Sequence, residues 1–126
     1  MVTNQPTLDF VLKNFHDWLK SERLLEENVR FIFVTCGDWD LGTMLRKQCQ
    51  HFRLERQKYF DHWINIKRSF NQVTGQGGRT GMMEMLNHLK IPHQGRHHSG
   101  IDDCRNIAEI LRDLIRQGHS FQENRR

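Results

Sequence analysis

Gly95-Arg96-His97-His98-Ser99-Gly100-Ile101-Asp102-Asp103-Cys104-Arg105-Asn106 gathers histidine, carboxylate and arginine directly ahead of a strongly periodic helix. The His98 imidazole and the Asp103 carboxylate lie five positions apart, and Gly100 between them lets the backbone turn from loop into helix. Both groups can then face one cleft. The helix that follows, from about Asp102 to Gln117, carries Ile107, Ile110, Leu111, Leu114 and Ile115 at helical spacing and is closed by Gly118. Each aliphatic side chain, if fully buried, contributes roughly 1.5 to 3 kcal/mol, so this helix is expected to anchor the core.

Upstream, Phe31-Ile32-Phe33-Val34-Thr35 is a continuous apolar, β-branched run of strand length, ended by Cys36-Gly37-Asp38, and reads as a buried parallel strand. Asp38-Trp39-Asp40 follows, then Leu41, Met44, Leu45, Gln48 and Phe52 at helical spacing. Asp40 therefore lies at a strand-to-helix junction, the end of a strand where ligands bind in open α/β sheets. The plainer reading makes Asp38 or Asp40 a helix cap. Trp63-Ile64-Asn65-Ile66, inside the run from Tyr59, reads as a second strand leading into Lys67, Arg68 and Phe70, with the intervening helix as crossover.

Ahead of these elements, Leu8, Val11, Leu12, Phe15, Trp18 and Leu19 predict an amphipathic helix from Thr7, as N-cap, to about Leu25. Residues 71–81 hold four of the nine glycines and read as a flexible loop; Arg79 stands where a phosphate-binding P-loop needs lysine. Met82, Met85, Leu86 and Leu89 predict a short core helix stopped by Pro92, and the polar tail from His119 is expected to fray. Four histidines, His88, His93, His97 and His98, raise the idea of a zinc site, but they lack cysteine partners and ordered spacing.

With 126 residues, 37% of them apolar and 27% charged, the chain has room for one domain, 1–126, with a thin core. A net charge of +4 admits a polyanionic partner. Cys36, Cys49 and Cys104 are odd in number and widely spaced, which suggests neither a disulfide framework nor a structural zinc site. A reducing intracellular compartment, cytoplasmic or nuclear, is expected. The start of the chain does not read as a secretory signal, and no apolar run approaches a membrane span, so no membrane partner is expected.

Taken together, Gly37-Asp38-Trp39-Asp40, the Trp63-Ile64-Asn65-Ile66-Lys67 strand and the run from Gly95 to Ile107 resemble the later motifs of the DEDDh exonucleases. The resemblance is closest to the enhanced-RNA-interference group, which includes the histone messenger RNA 3′ exonucleases. It implies a ribonuclease H-like α/β fold, removal of nucleotides from RNA 3′ ends, and two Mg²⁺ or Mn²⁺ ions. By the same resemblance Asp40 and Asp103 are metal ligands and His98 is the general base. Arg96, Lys67 and Arg68 are candidate nucleic-acid contacts, though each reads equally as solvated surface charge.

One departure matters. The family's first motif is Asp-x-Glu on an early strand, and this sequence contains none; Asp9, Asp17, Glu22, Glu26 and Glu27 have the wrong spacing or lie on or after a helix. The chain thus resembles the C-terminal two thirds of an exonuclease domain, a partial α/β fold with helices around a reduced, mostly parallel sheet missing its first strands. Two expectations follow. Activity by this chain alone is impaired, leaving an inactive RNA- or protein-binding form as the alternative. The sheet edge at Phe31 to Val34 is open to self-association or to a partner strand.

Overall fold

The computed structural model describes residues 6–75, 80–96 and 99–124. The chain divides into two compact units, Met1–Ile32 and Phe33–Arg126. In the first, helix α1 spans Leu8–Ser21, shorter than its sequence pattern. Thr7 takes the cap position without capping by its side chain; its hydroxyl instead helps to hold the Asp9 carboxyl below the usual carboxylate range. Of the apolar stripe that marked the helix as amphipathic only Leu19 is buried, while Val11 and Trp18 are exposed.

The second unit carries a parallel two-stranded sheet. Strand β1 is Phe33–Thr35 and β2 is Trp63–Asn65, in the register Phe33↔Trp63, Val34↔Ile64 and Thr35↔Asn65. The parallel crossover expected from the sequence is present, but both strands are short and β1 is only half-buried. Tyr59 and Phe60, from a 3₁₀ turn at Lys58–Asp61, pack their rings against Phe33. The crossover is not one continuous α-helix. It opens with a π-helical segment, Asp40–Met44, and continues as α2, Leu45–His51. Such wide turns cost hydrogen-bond geometry and often accompany functional sites.

Helix α3, Ile66–Thr74, follows β2 directly and runs through the first part of the span expected as loop; Gly75 ends it. Positions 76–79, including Arg79, lie outside the described residues. Helices α4, Met82–Leu89, and α5, Gly100–Arg116, complete the unit. Ile66, Phe70, Met85, Leu86, Ile110 and Leu114 form its buried core, with Val34 and Cys36 of the β1 region packed against it. The expected aliphatic face of α5 is mostly correct, but Ile115 is 56% exposed. The tail does not simply fray. Asn124 is buried and brackets Trp63: its N–H donates to the Trp63 carbonyl at 2.8 Å, and its Oδ1 accepts the Trp63 N–H at 2.6 Å.

No helix among the described residues is long and apolar enough to cross a membrane. The three cysteines are free.

Candidate active site

Asp40 opens the π-helical segment just beyond the C-terminal end of β1 and is exposed. Asp103 sits in the first turn of α5, where its N–H donates to the Ser99 carbonyl at 2.8 Å. The two carboxylates belong to one electrostatic neighbourhood, whose common reporter is the Cys36 thiol. Burial pushes that thiol up, Lys67 pulls it down, and Asp40 and Asp103 push it up further. His98, the candidate base, lies outside the described residues, as does His97.

Neither acidic residue of the β1 loop caps the following helix; the cap position falls to Trp39, with no side-chain cap bond. The Asp38 carboxylate accepts the Trp63 indole N–H at 2.8 Å, and the Asp38 carbonyl accepts the Gly42 N–H at 2.8 Å. Gly37 has φ +110°, a conformation L side chains rarely adopt. Its N–H donates to Asn65 Oδ1 at 3.0 Å, and its carbonyl accepts the Thr35 hydroxyl at 2.6 Å. Asn65 Oδ1 also accepts the Lys67 N–H at 3.0 Å, capping α3.

On the α5 side, the strand of chain before His97 is tied to the helix from below. Asn106, fully buried, exchanges two hydrogen bonds with the Gln94 backbone. Asp102 accepts the Arg96 N–H at 3.0 Å, and this bond, aided by Ser99 and Arg105, lowers its carboxyl below the usual range.

Asp103 Oδ1 is buried and has no hydrogen-bond partner among the described residues. A buried carboxylate oxygen left in that state is costly, and a hard cation would satisfy it. The chemistry of Asp103 therefore fits a divalent ion. The residues present do not make a complete site, since no three His, Cys, Asp or Glu side chains converge among the described residues. That also leaves no zinc cluster there. His88, one of its candidates, is exposed on α4 with its ring edge-on to Phe70.

Of the candidate RNA contacts, Lys67 is half-buried beside Gly37, whereas Arg68 and Arg96 are exposed. Trp39, immediately before Asp40, is 60% exposed. The sequence pointed to Asp40, His98 and Asp103 but gave no role to Trp63, Asn65, Asn106 or Asn124. The legible trace was a lone asparagine at the end of an otherwise apolar strand, and another on the apolar-flanked inner face of α5.

This chain belongs to the exonuclease family RNase_T, whose model matches residues 1–111. It is similar to the human ERI1 exoribonuclease 3, 46% identical over 123 residues, covering 98% of this chain and 36% of that protein. The human 3′-5′ exoribonuclease 1 is 33% identical over 124 residues, covering 98% and 35%. The nuclease domain of 3′hExo, a DEDDh family member solved bound to rAMP, matches with a TM-score of 0.90 at 31% identity. That match covers 98% of this chain and 62% of the solved one. A structure of 3′-end specific recognition of a histone mRNA stem-loop by a 3′-exonuclease matches with a TM-score of 0.89 at 30% identity, covering 96% and 54%. The fold is thus a partial ribonuclease H-like exonuclease fold, and the chain spans about a third of the length of the curated relatives named here.

Proposed function

We propose that this chain carries the RNA 3′-end half of a 3′-to-5′ exoribonuclease site, and that it turns over poorly on its own. The observation that carries this reading is the buried, unpartnered Asp103 Oδ1 in one electrostatic neighbourhood with Asp40. Asp103 and Asp40 would hold Mg²⁺ or Mn²⁺ through carboxylate oxygens, the donors such hard cations prefer. When bound, a pair of such ions stabilises the attacking and leaving oxygens of an in-line phosphodiester displacement. His98 would take the proton from the attacking water, a role suited to a neutral imidazole. Trp39 would offer its ring to a nucleobase, and Lys67 its ammonium to a phosphate.

Impaired turnover follows from charge. Two carboxylates are a thin complement for two divalent ions, and the sequence has no Asp-x-Glu to add the others. Those carboxylates would come from a strand-bearing segment or chain that completes the sheet, or through self-association. The test is degradation of a 5′-labelled RNA by the purified chain with Mn²⁺, beside Asp40→Ala, His98→Ala and Asp103→Ala. A slow ladder abolished by all three changes is expected. RNA binding without shortening at any concentration would overturn the enzymatic reading in favour of an inactive binding form.

A further inference from the structure

We propose that Trp63 and Asn65 of β2 are positioning residues that hold the loop carrying Asp40 in place. The inference rests on the reading of Asp40 as a metal ligand. Asp40 has no rigid element on its N-terminal side: Cys36 to Trp39 separate it from β1, and Gly37 there holds a left-handed φ that gives the backbone no steric guidance. What fixes the loop is its bonds to the sheet, chiefly to β2. Asn65 and Thr35 are register partners, and their side chains take the N–H and the carbonyl of Gly37 respectively. Two positions along the same face of β2, the Trp63 indole donates to the Asp38 carboxylate. Asp38 is then held twice, by Trp63 at its carboxylate and by Gly42 at its carbonyl, so the peptide bearing Asp40 is bracketed on both sides.

The support extends outward. Trp63 is buried, and its backbone is bonded on both polar groups to Asn124, whose Nδ2 also donates to the Asp61 carbonyl at 3.0 Å. Each bond in the series Asn124, Trp63, Asp38 joins residues distant in sequence, so it constrains the loop in a way the local chain does not. A carboxylate ligand binds a cation well only if held close to its productive geometry.

The experiment measures Mn²⁺ affinity and the alkylation rate of the half-buried Cys36, read peptide by peptide because Cys104 is exposed and reacts as well. The variants are Trp63→Phe, Asn65→Leu, Asn65→Asp and Asp40→Asn, each checked for its urea midpoint. Trp63→Phe keeps a buried ring and removes one donor; Asn65→Leu removes the acceptor; Asn65→Asp keeps it. Expected is an approximately ten-fold loss of Mn²⁺ affinity in Trp63→Phe and Asn65→Leu, within the range for groups that orient metal ligands. Cys36 alkylation should rise several-fold in both and should not rise in Asn65→Asp. A lowered urea midpoint with both readouts unmoved would mean the two side chains serve stability alone and would overturn the proposal. If Asp40→Asn leaves Mn²⁺ binding intact, it is the ligand role of Asp40 that fails, while the Cys36 rates still report on the loop. Should either Trp63→Phe or Asn65→Leu unfold, the other decides by the same two readouts.

Discussion

Asn106 and Gln94, twelve residues apart, are joined by a reciprocal pair of hydrogen bonds: the Gln94 N–H to Asn106 Oδ1 at 2.9 Å, and Asn106 Nδ2 to the Gln94 carbonyl at 3.0 Å. A fully buried amide that satisfies one backbone peptide at both ends fixes where the preceding chain meets α5. Removing it leaves Gln94 polar groups without their partner. Asn106→Ala is expected to cost about 1 to 3 kcal/mol, more than a surface substitution. Urea unfolding measures this cost, and faster hydrogen exchange at the Gln94 amide would locate it.

Gly95 lies between the two tethers with φ +70°, and a Cβ there would fall 2.2 Å from the Asp102 carboxyl carbon. Alanine meets both a disfavoured backbone and a side chain that must swing away. Gly95→Ala should cost roughly 1 to 3 kcal/mol and break the Arg96–Asp102 bond. Because the two residues collide, combining it with Asp102→Ala should destabilise by less than the sum of the single changes, which a double-mutant cycle by urea unfolding would measure.

Asp102 and Asp61 should both make stability fall in acid. The Arg96 N–H chiefly lowers Asp102, and the hydrogen bond from Arg56 chiefly lowers Asp61, which Arg46 also approaches at 3.4 Å. A folded value below the unfolded one, near 3.9 for an aspartate, means the unfolded chain takes up the proton first. The stabilisation is therefore complete above about pH 5 and is lost as pH falls through the lowered folded values. Urea midpoints followed from pH 7 to pH 2.5 should drop less steeply in Asp61→Asn and Asp102→Asn than in the parent chain.

Ile110 and Ile115 share one helix but not one environment, the first fully buried and the second mostly exposed. Ile110→Ala should cost about 2 to 5 kcal/mol through lost burial and the cavity left behind. Ile115→Ala should stay within roughly 0.5 kcal/mol. Thermal or urea unfolding of the two variants side by side checks the assignment of the helix face.

Much of the fold was legible because periodicity reports burial. The helical spacing from Ile107 to Leu114 and the apolar, β-branched run at Phe31 to Thr35 place α5 and β1 within one or two residues of where they lie. Ile115, Val11 and Trp18 escaped because an apolar residue at the margin of a stripe carries no mark of which side of the margin it falls on. The π-helical opening of the crossover was also hidden, since one wide turn over five residues is too short to register in the apolar spacing. For the site, acidic residues at a strand end and a helix start are visible as chemistry. The side chains that orient them are not: Asn65, Asn106 and Asn124 act through partners 28, 12 and 61 positions away, and no local pattern encodes such pairings.

The bond between Asn124 and Trp63 also bears on how the chain is made. Synthesis proceeds from the N-terminus, so β2 and the loop it braces emerge while the residue that closes the outer side of Trp63 is still 61 positions from being added. Contacts of such separation form late and slow the final step of folding. During translation the nascent chain therefore passes through a stage with β1, β2 and α3 already available and the Trp63 backbone still open to water or to a chaperone. The brace behind Trp63 is thus completed by a residue 61 positions further along the chain.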